Sequence, residues 1–141
     1  MTSNRLARLV RIKHLAEQAR VTELAERKQS LEAARSELAE AEARLDAVDA
    51  SVDPSDPSSM LFASAFRDHL AGEIQQQETV VRERVESVQT AESSVREAWT
   101  DRRQLETARD NAVEREAQEE TRREHLRMEE LALTLRRKDE S

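Results

Sequence analysis

Three imidazoles, His14, His69 and His125, are the side chains best suited to proton transfer near neutral pH or to transition-metal ligation. No two of them stand at the i, i+4 spacing that lets a helix face present a zinc pair. They fall at three separate levels of an elongated chain and cannot converge. There is no cysteine, which removes thiolate nucleophiles, disulfides and sulfur ligation. The one glycine, Gly72, cannot build a glycine-rich phosphate loop. Carboxylates are abundant but interleaved with arginine at helical spacing, as in Glu78 and Arg82. Such pairs suit solvated i, i+4 ion pairs, not a general acid–base couple. The residues therefore predict no catalytic, cofactor-binding or metal-binding site, and a chain that is not an enzyme.

The elements that carry these side chains are set by one interruption. Both prolines, Pro54 and Pro57, lie in Ser51-Val52-Asp53-Pro54-Ser55-Asp56-Pro57-Ser58-Ser59. Proline lacks an amide donor and clashes with the preceding turn, so this segment ends a helix. On either side the composition is Ala, Glu, Arg and Leu, with 38% charged and only 2% aromatic residues. That is the signature of long helices sharing a narrow seam. The reading is all-α: one coiled-coil domain over residues 1–141, with a first helix at about 3–50, a linker at 51–59 and a second helix at about 60–137. A linker this short favours an antiparallel hairpin with a longer, overhanging second helix. Thr2, Ser3 or Asn4 can cap the first helix. Either Asp56 caps a second helix beginning at Pro57, or Ser58 is the cap.

Leu24, Leu31, Leu38 and Leu45 recur every seven residues, with Ala34, Ala41 and Val48 three residues after the last three. This is an apolar seam at heptad spacing. Upstream, Leu6, Leu9, Ile12, Ala16 and Ala19 form a stripe in another phase, which predicts a stutter near Val21. In the second helix one lane holds Ile74, Val81, Val88 and Val95. Another holds Leu70, Ala91, Ala98, Leu105, Ala112, Leu126 and Leu133, interrupted by Gln77, Arg84 and Glu119. Past Val95 the first lane turns charged, at Arg102, Arg109, Glu116, Arg123 and Glu130, so the seam narrows. A turn centred near Ser55 and Asp56 sets Trp99 near Ile12 and Leu70 near Ala41. The first helix then runs out opposite about residue 107, leaving roughly the last 30 residues, about 45 Å of helix, unpaired.

The net charge of −7 argues against nucleic acid as a partner, since phosphates demand a basic footprint. The charge is uneven. Residues 1–28 carry seven basic side chains (Arg5, Arg8, Arg11, Lys13, Arg20, Arg27, Lys28) against three acidic ones, and acidic residues prevail from Glu32 to Asp56. No apolar run approaches the roughly 20 residues of a membrane span, and no signal peptide is visible, so a soluble cytoplasmic protein is expected. The lone Trp99 sits at the edge of the seam, where packing over the first helix is favoured over anchoring a partner. Phe62 and Phe66, beside Leu61 and Leu70, either staple the tip of the hairpin or form an exposed docking patch.

Two stretches carry a family resemblance. Lys13-His14-Leu15-Ala16-Glu17-Gln18-Ala19 is similar to the Lys-x-Leu-Ala-Glu stretch near the N-terminus of the FliJ family. Ala98-Trp99-Thr100-Asp101-Arg102-Arg103 resembles that family's tryptophan followed by a polar residue and a basic pair. With the length and the position of the polar break, the resemblance covers nearly the whole chain. It implies a non-enzymatic stalk of the flagellar type III protein export apparatus, without cofactor. The implied partners are the hexameric export ATPase, the cytoplasmic domain of the export gate and export chaperones. The implied location is cytoplasmic, reaching the inner face of the membrane only through those partners. By this resemblance the ATPase contact falls on Arg5, Arg8, Arg11, Arg122, Arg123, Arg127, Arg136 and Arg137. The gate contact falls on Leu70, Ile74 and Val81. The seam itself comprises Leu24, Leu31, Leu38, Leu45, Val88, Val95, Trp99 and Leu105. Two other readings fit the same residues. One is the stalk of a virulence-type secretion system. The other is a coiled-coil scaffold or dimerisation adaptor, a homodimer joined through the C-terminal overhang.

Overall fold

A computed structural model describes residues 2–140. It contains two helices, α1 (Ser3–Ser51) and α2 (Pro57–Glu140), and no strand among the described residues. The fold is all-α with the second helix longer, 84 residues against 49. Thr2 caps α1: its Oγ1 accepts from the Arg5 amide (3.4 Å) and its carbonyl from the Leu6 amide. Asp56 caps α2, accepting the Ser58 amide on Oδ1 (3.0 Å) and the Met60 amide on its carbonyl. Pro57 is then the first helical residue, where a missing N–H costs nothing. The linker is shaped by Asp53, whose Oδ1 accepts both the amide (3.0 Å) and the hydroxyl (2.6 Å) of Ser55.

The chain divides into two compact units. One is Gln18–Arg96, which contains the linker. The other joins the segment of α1 up to Glu17 with the segment of α2 from Glu97.

In the linker unit, α1 and α2 run antiparallel over a core one side chain wide. Leu31, Ala34, Ala41, Ala63, Leu70, Val88 and Ala91 are buried, and Leu70 is only 2% exposed. Leu24, Leu38, Leu45, Ile74, Val81 and Val95 are half-buried beside them. Alanine recurs because two long helices with few apolar side chains bury surface only by close approach. Charged and polar residues hold the remaining seam positions. Arg84 donates to the carbonyl and hydroxyl of Ser30, and Arg27 to the carbonyl of Ser87 (3.0 Å) and to Glu23 (2.6 Å). Gln77 is left with a buried Oε1 that has no partner. Arg82, expected to pair with Glu78, donates to Thr79 Oγ1 (3.1 Å).

The register differs from the sequence expectation. Arg27 meets Ser87 where residue 84 was expected, and Arg44 meets Glu73 where residue 67 was expected. The cause lies at the linker. The first helical residues of α2, Pro57–Phe62, contain none that is buried, and burial begins at Ala63. The linker climbs back along this turn, with the Asp53 amide donating to Ser59 Oγ (3.4 Å). That asymmetric return shifts every later partner toward the C-terminus.

In the terminal unit the buried residues are Leu6, Val10 and Ala112, flanked by half-buried Leu9, Ala98 and Leu105. The expected stripe of Leu6, Leu9, Ile12, Ala16 and Ala19 is not the buried one. Ile12 is 55% exposed, and Ala16, Ala19 and Val21 are also exposed. The covered face runs instead through Leu6, Val10, Lys13 and Glu17, in phase with Leu24 and Leu31 at alternating spacings of four and three residues. The stutter expected near Val21 is therefore absent from α1: charged residues occupy the seam there, and the apolar ones lie off it.

Candidate functional site

The terminal unit gathers most of the charged chemistry. The Arg102 Nε donates to Glu17 Oε2 across the two helices, and its Nη1 donates to Glu106 Oε1 (2.6 Å) one turn along α2. Arg103 adds a second donor to Glu106 (3.2 Å). The side chains of Glu17, Arg102 and Glu106 are only 14–19% exposed, so water screens this cluster less than a surface pair. Hydrogen bonding from Arg102 holds the Glu106 carboxyl below its ordinary range, and the bonds to Glu17 and then Glu106 push the Arg102 guanidinium up. Lys13 lies 4.0 Å from Asp101 on the neighbouring turn. Nearer the start of α1, Glu116 accepts the Ser3 amide (2.9 Å) and hydroxyl (2.6 Å), which holds its carboxyl low.

Glu116 is also where α1 ends on α2. Every described residue from Val113 to Glu140 is exposed, including Val113, Leu126, Met128, Leu131, Leu133 and Leu135 at 48–69%. The segment of α2 that α1 does not cover therefore starts near residue 117, about ten residues later than the expected 107, in keeping with the shifted register. It alternates charge blocks: Glu119 and Glu120, Arg122 and Arg123, Glu129 and Glu130, then Arg136, Arg137 and Lys138. Two local pairs bridge the first of these, Arg123 to Glu119 (3.8 Å) and Arg127 to Glu120 (3.7 Å). A bare helix with few apolar residues is marginal in water. Its exposed leucines and arginines are what a partner would cover.

Of the residues singled out from sequence, Arg5, Arg8, Arg11, Arg122, Arg123, Arg127, Arg136 and Arg137 are all exposed in this unit. Leu70, Ile74 and Val81 belong to the linker unit and line its intramolecular seam. Leu70 cannot reach a partner while the helices stay paired. Leu31 and Val88 are buried. Leu24, Leu38, Leu45, Val95 and Leu105 are half-buried. Trp99 flanks the seam with half its surface exposed. The sequence reading missed the Glu17–Arg102–Glu106 cluster, although the alternation of Arg102 and Glu106 at i, i+4 was a signal for it. Phe62 and Phe66 are exposed, 77% and 43%.

Among the described residues no group of His, Cys, Asp or Glu is placed to hold a metal ion, and no helix is long and apolar enough to cross a membrane. No curated protein and no solved structure matches the chain. The family model of the flagellar FliJ protein matches residues 2–141. The chain therefore belongs to the FliJ family, and with it to the flagellar type III export apparatus as a stalk-type component.

Proposed function

We propose that this FliJ-family chain couples the flagellar export ATPase to the export gate as a stiff, non-enzymatic stalk. The observation that carries the reading is the stretch of α2 beyond Glu116, helical to Glu140 and exposed throughout. A helix left bare by its own chain gains most by inserting where another protein supplies apolar and charged walls. The hexameric export ATPase is the partner for this end. Arg5, Arg8, Arg11, Arg122, Arg123, Arg127, Arg136 and Arg137 supply charge-assisted contacts to its carboxylates. Coupling is mechanical: an asymmetric helix held in a six-fold ring cannot contact all subunits alike, so it biases their states unequally.

The gate's cytoplasmic domain binds at Leu70, Ile74 and Val81, which requires the seam to open locally, and export chaperones bind the same chain. The protein acts in the cytoplasm and reaches the membrane only through these partners. No cofactor takes part. The test is light scattering of the export ATPase from the same genome mixed with the full chain or with a truncation ending at Glu116. The full chain should promote hexamers and co-elute, and the truncation should do neither. Equal binding by both would remove the tail from the interface. A homodimer of the chain alone, lost on truncation, would favour the adaptor reading.

A further inference from the structure

The tip of the linker unit carries a groove that the stalk reading does not use. Val48 and Ser51 of the last turn of α1, Val52 of the linker, and Ser58, Ser59, Phe62, Ala63 and Phe66 of α2 line it. Its walls are mostly apolar. Phe62 and Phe66 stand one turn apart along one side, 77% and 43% exposed, and Phe66 leans its ring against His69. Large aromatic surface in this state costs free energy in water and is recovered on burial.

The charge around the groove selects the occupant. From Leu45 to Phe66 the chain carries four carboxylates, Asp46, Asp49, Asp53 and Asp56, and no basic side chain. The nearest arginines are already engaged: Arg67 pairs with Asp49 (2.8 Å) and Arg44 with Glu73 (3.4 Å). An apolar floor inside an acidic rim fits a ligand with apolar side chains on one face and basic ones beside them. Its backbone class follows as well. The groove is bounded by two helix ends and the linker, and with no strand among the described residues there is no sheet edge for a peptide strand to extend. Two antiparallel helices instead leave a furrow that accepts a third helix by its apolar face.

We propose that the groove at the tip, between Val48–Val52 and Phe62–Phe66, is a docking site for a basic amphipathic helix of a partner protein. The groove belongs to the linker unit alone, and its occupation needs no ATPase.

The probe is a fluorescently labelled Leu/Lys model peptide with its leucines on one helical face, compared with the same peptide carrying Glu for Lys. Anisotropy should rise with the full chain for the Leu/Lys peptide and not for the Leu/Glu one. Phe62→Ser and Phe66→Ser should each weaken binding at least tenfold with helicity by circular dichroism unchanged. Asp53→Asn should weaken it severalfold. Leu61→Ser, at an exposed residue that does not line the groove, should leave it within twofold and serves as the folding control. Absence of binding, equal affinity for both peptides, or binding indifferent to Phe62 and Phe66 would overturn the proposal. So would a concentration-dependent dimer in sedimentation that Phe62→Ser abolishes, because the groove would then belong to a second copy.

Discussion

Arg102 reaches across the terminal unit to Glu17, so that a guanidinium from the tryptophan-containing segment of α2 is bonded to a carboxylate from the lysine-leucine-alanine-glutamate segment of α1. The two stretches that resemble the FliJ family most are thus held against each other, a turn from the Lys13–Asp101 contact. Their residue types make sense as a fastening. Beyond Val95 the β-branched lane is exhausted, and charge pairing joins the narrow apolar contact of Leu6, Val10 and Ala112 in keeping α1 in place.

Removing that fastening should be felt locally. Arg102→Met keeps the aliphatic bulk but leaves Glu17 and Glu106 without their shared cation. Its melting temperature should fall, and amide exchange from Leu6 to Glu17 should quicken, while amides around Leu31 keep their protection. Exchange measured by mass spectrometry on both proteins decides this. Uniform loss of protection would show that the cluster does not act locally.

Acid should weaken the same unit. Glu106 and Glu116 titrate below the ordinary glutamate value of 4.5. A carboxyl depressed in the folded state contributes stability that is fully present above its unfolded value and is lost as pH falls through its folded value. Arg102, pushed up, stays charged throughout and adds no slope in this range. The melting temperature should hold above about pH 5 and decline below about 4.5. In Arg102→Met with Glu116→Gln the decline should be shallower.

The linker unit depends on packing. Leu70→Ala empties the most buried large side chain among the described residues and should cost about 2–5 kcal/mol in urea unfolding. Leu131→Ala, on the uncovered stretch, should change stability by less than about 0.5 kcal/mol. A similar cost at both positions would mean that the C-terminal stretch is covered in solution, as a dimer would cover it.

Gly72 has no packing reason to be glycine, since a Cβ built there meets nothing within 4 Å. Gly72→Ala should therefore stabilise α2 by about 0.5–1 kcal/mol. Asp56→Ala removes the cap of α2 and should cost about 1 kcal/mol. Both are read from the same urea series.

Much of this was legible in the sequence, and the gaps have physical causes. The proline-rich break located the linker because proline acts through the local backbone. The lanes of α2 were legible because Ile74, Val81, Val88 and Val95 mark one face with β-branched residues. The N-terminal third of α1 was misread because Lys13 and Glu17 hold seam positions, while Ile12, Ala16 and Ala19 lie outside. Apolar periodicity follows hydrophobic residues and does not register a seam closed by ion pairs. The register was missed because it depends on how far the linker climbs back along Pro57–Phe62, which turn composition does not specify. Whether Phe62 and Phe66 are covered depended on the same few residues.

In the proposed function the stretch of α2 beyond Glu116 engages the export ATPase. The most direct test is the hydrolysis rate of that ATPase from the same genome, measured alone, with the full chain, and with the chain ending at Glu116. The rate should be several-fold higher with the full chain and equal to that of the ATPase alone with the truncation, both chains being helical by circular dichroism. Equal stimulation by both, or none by either, would contradict it.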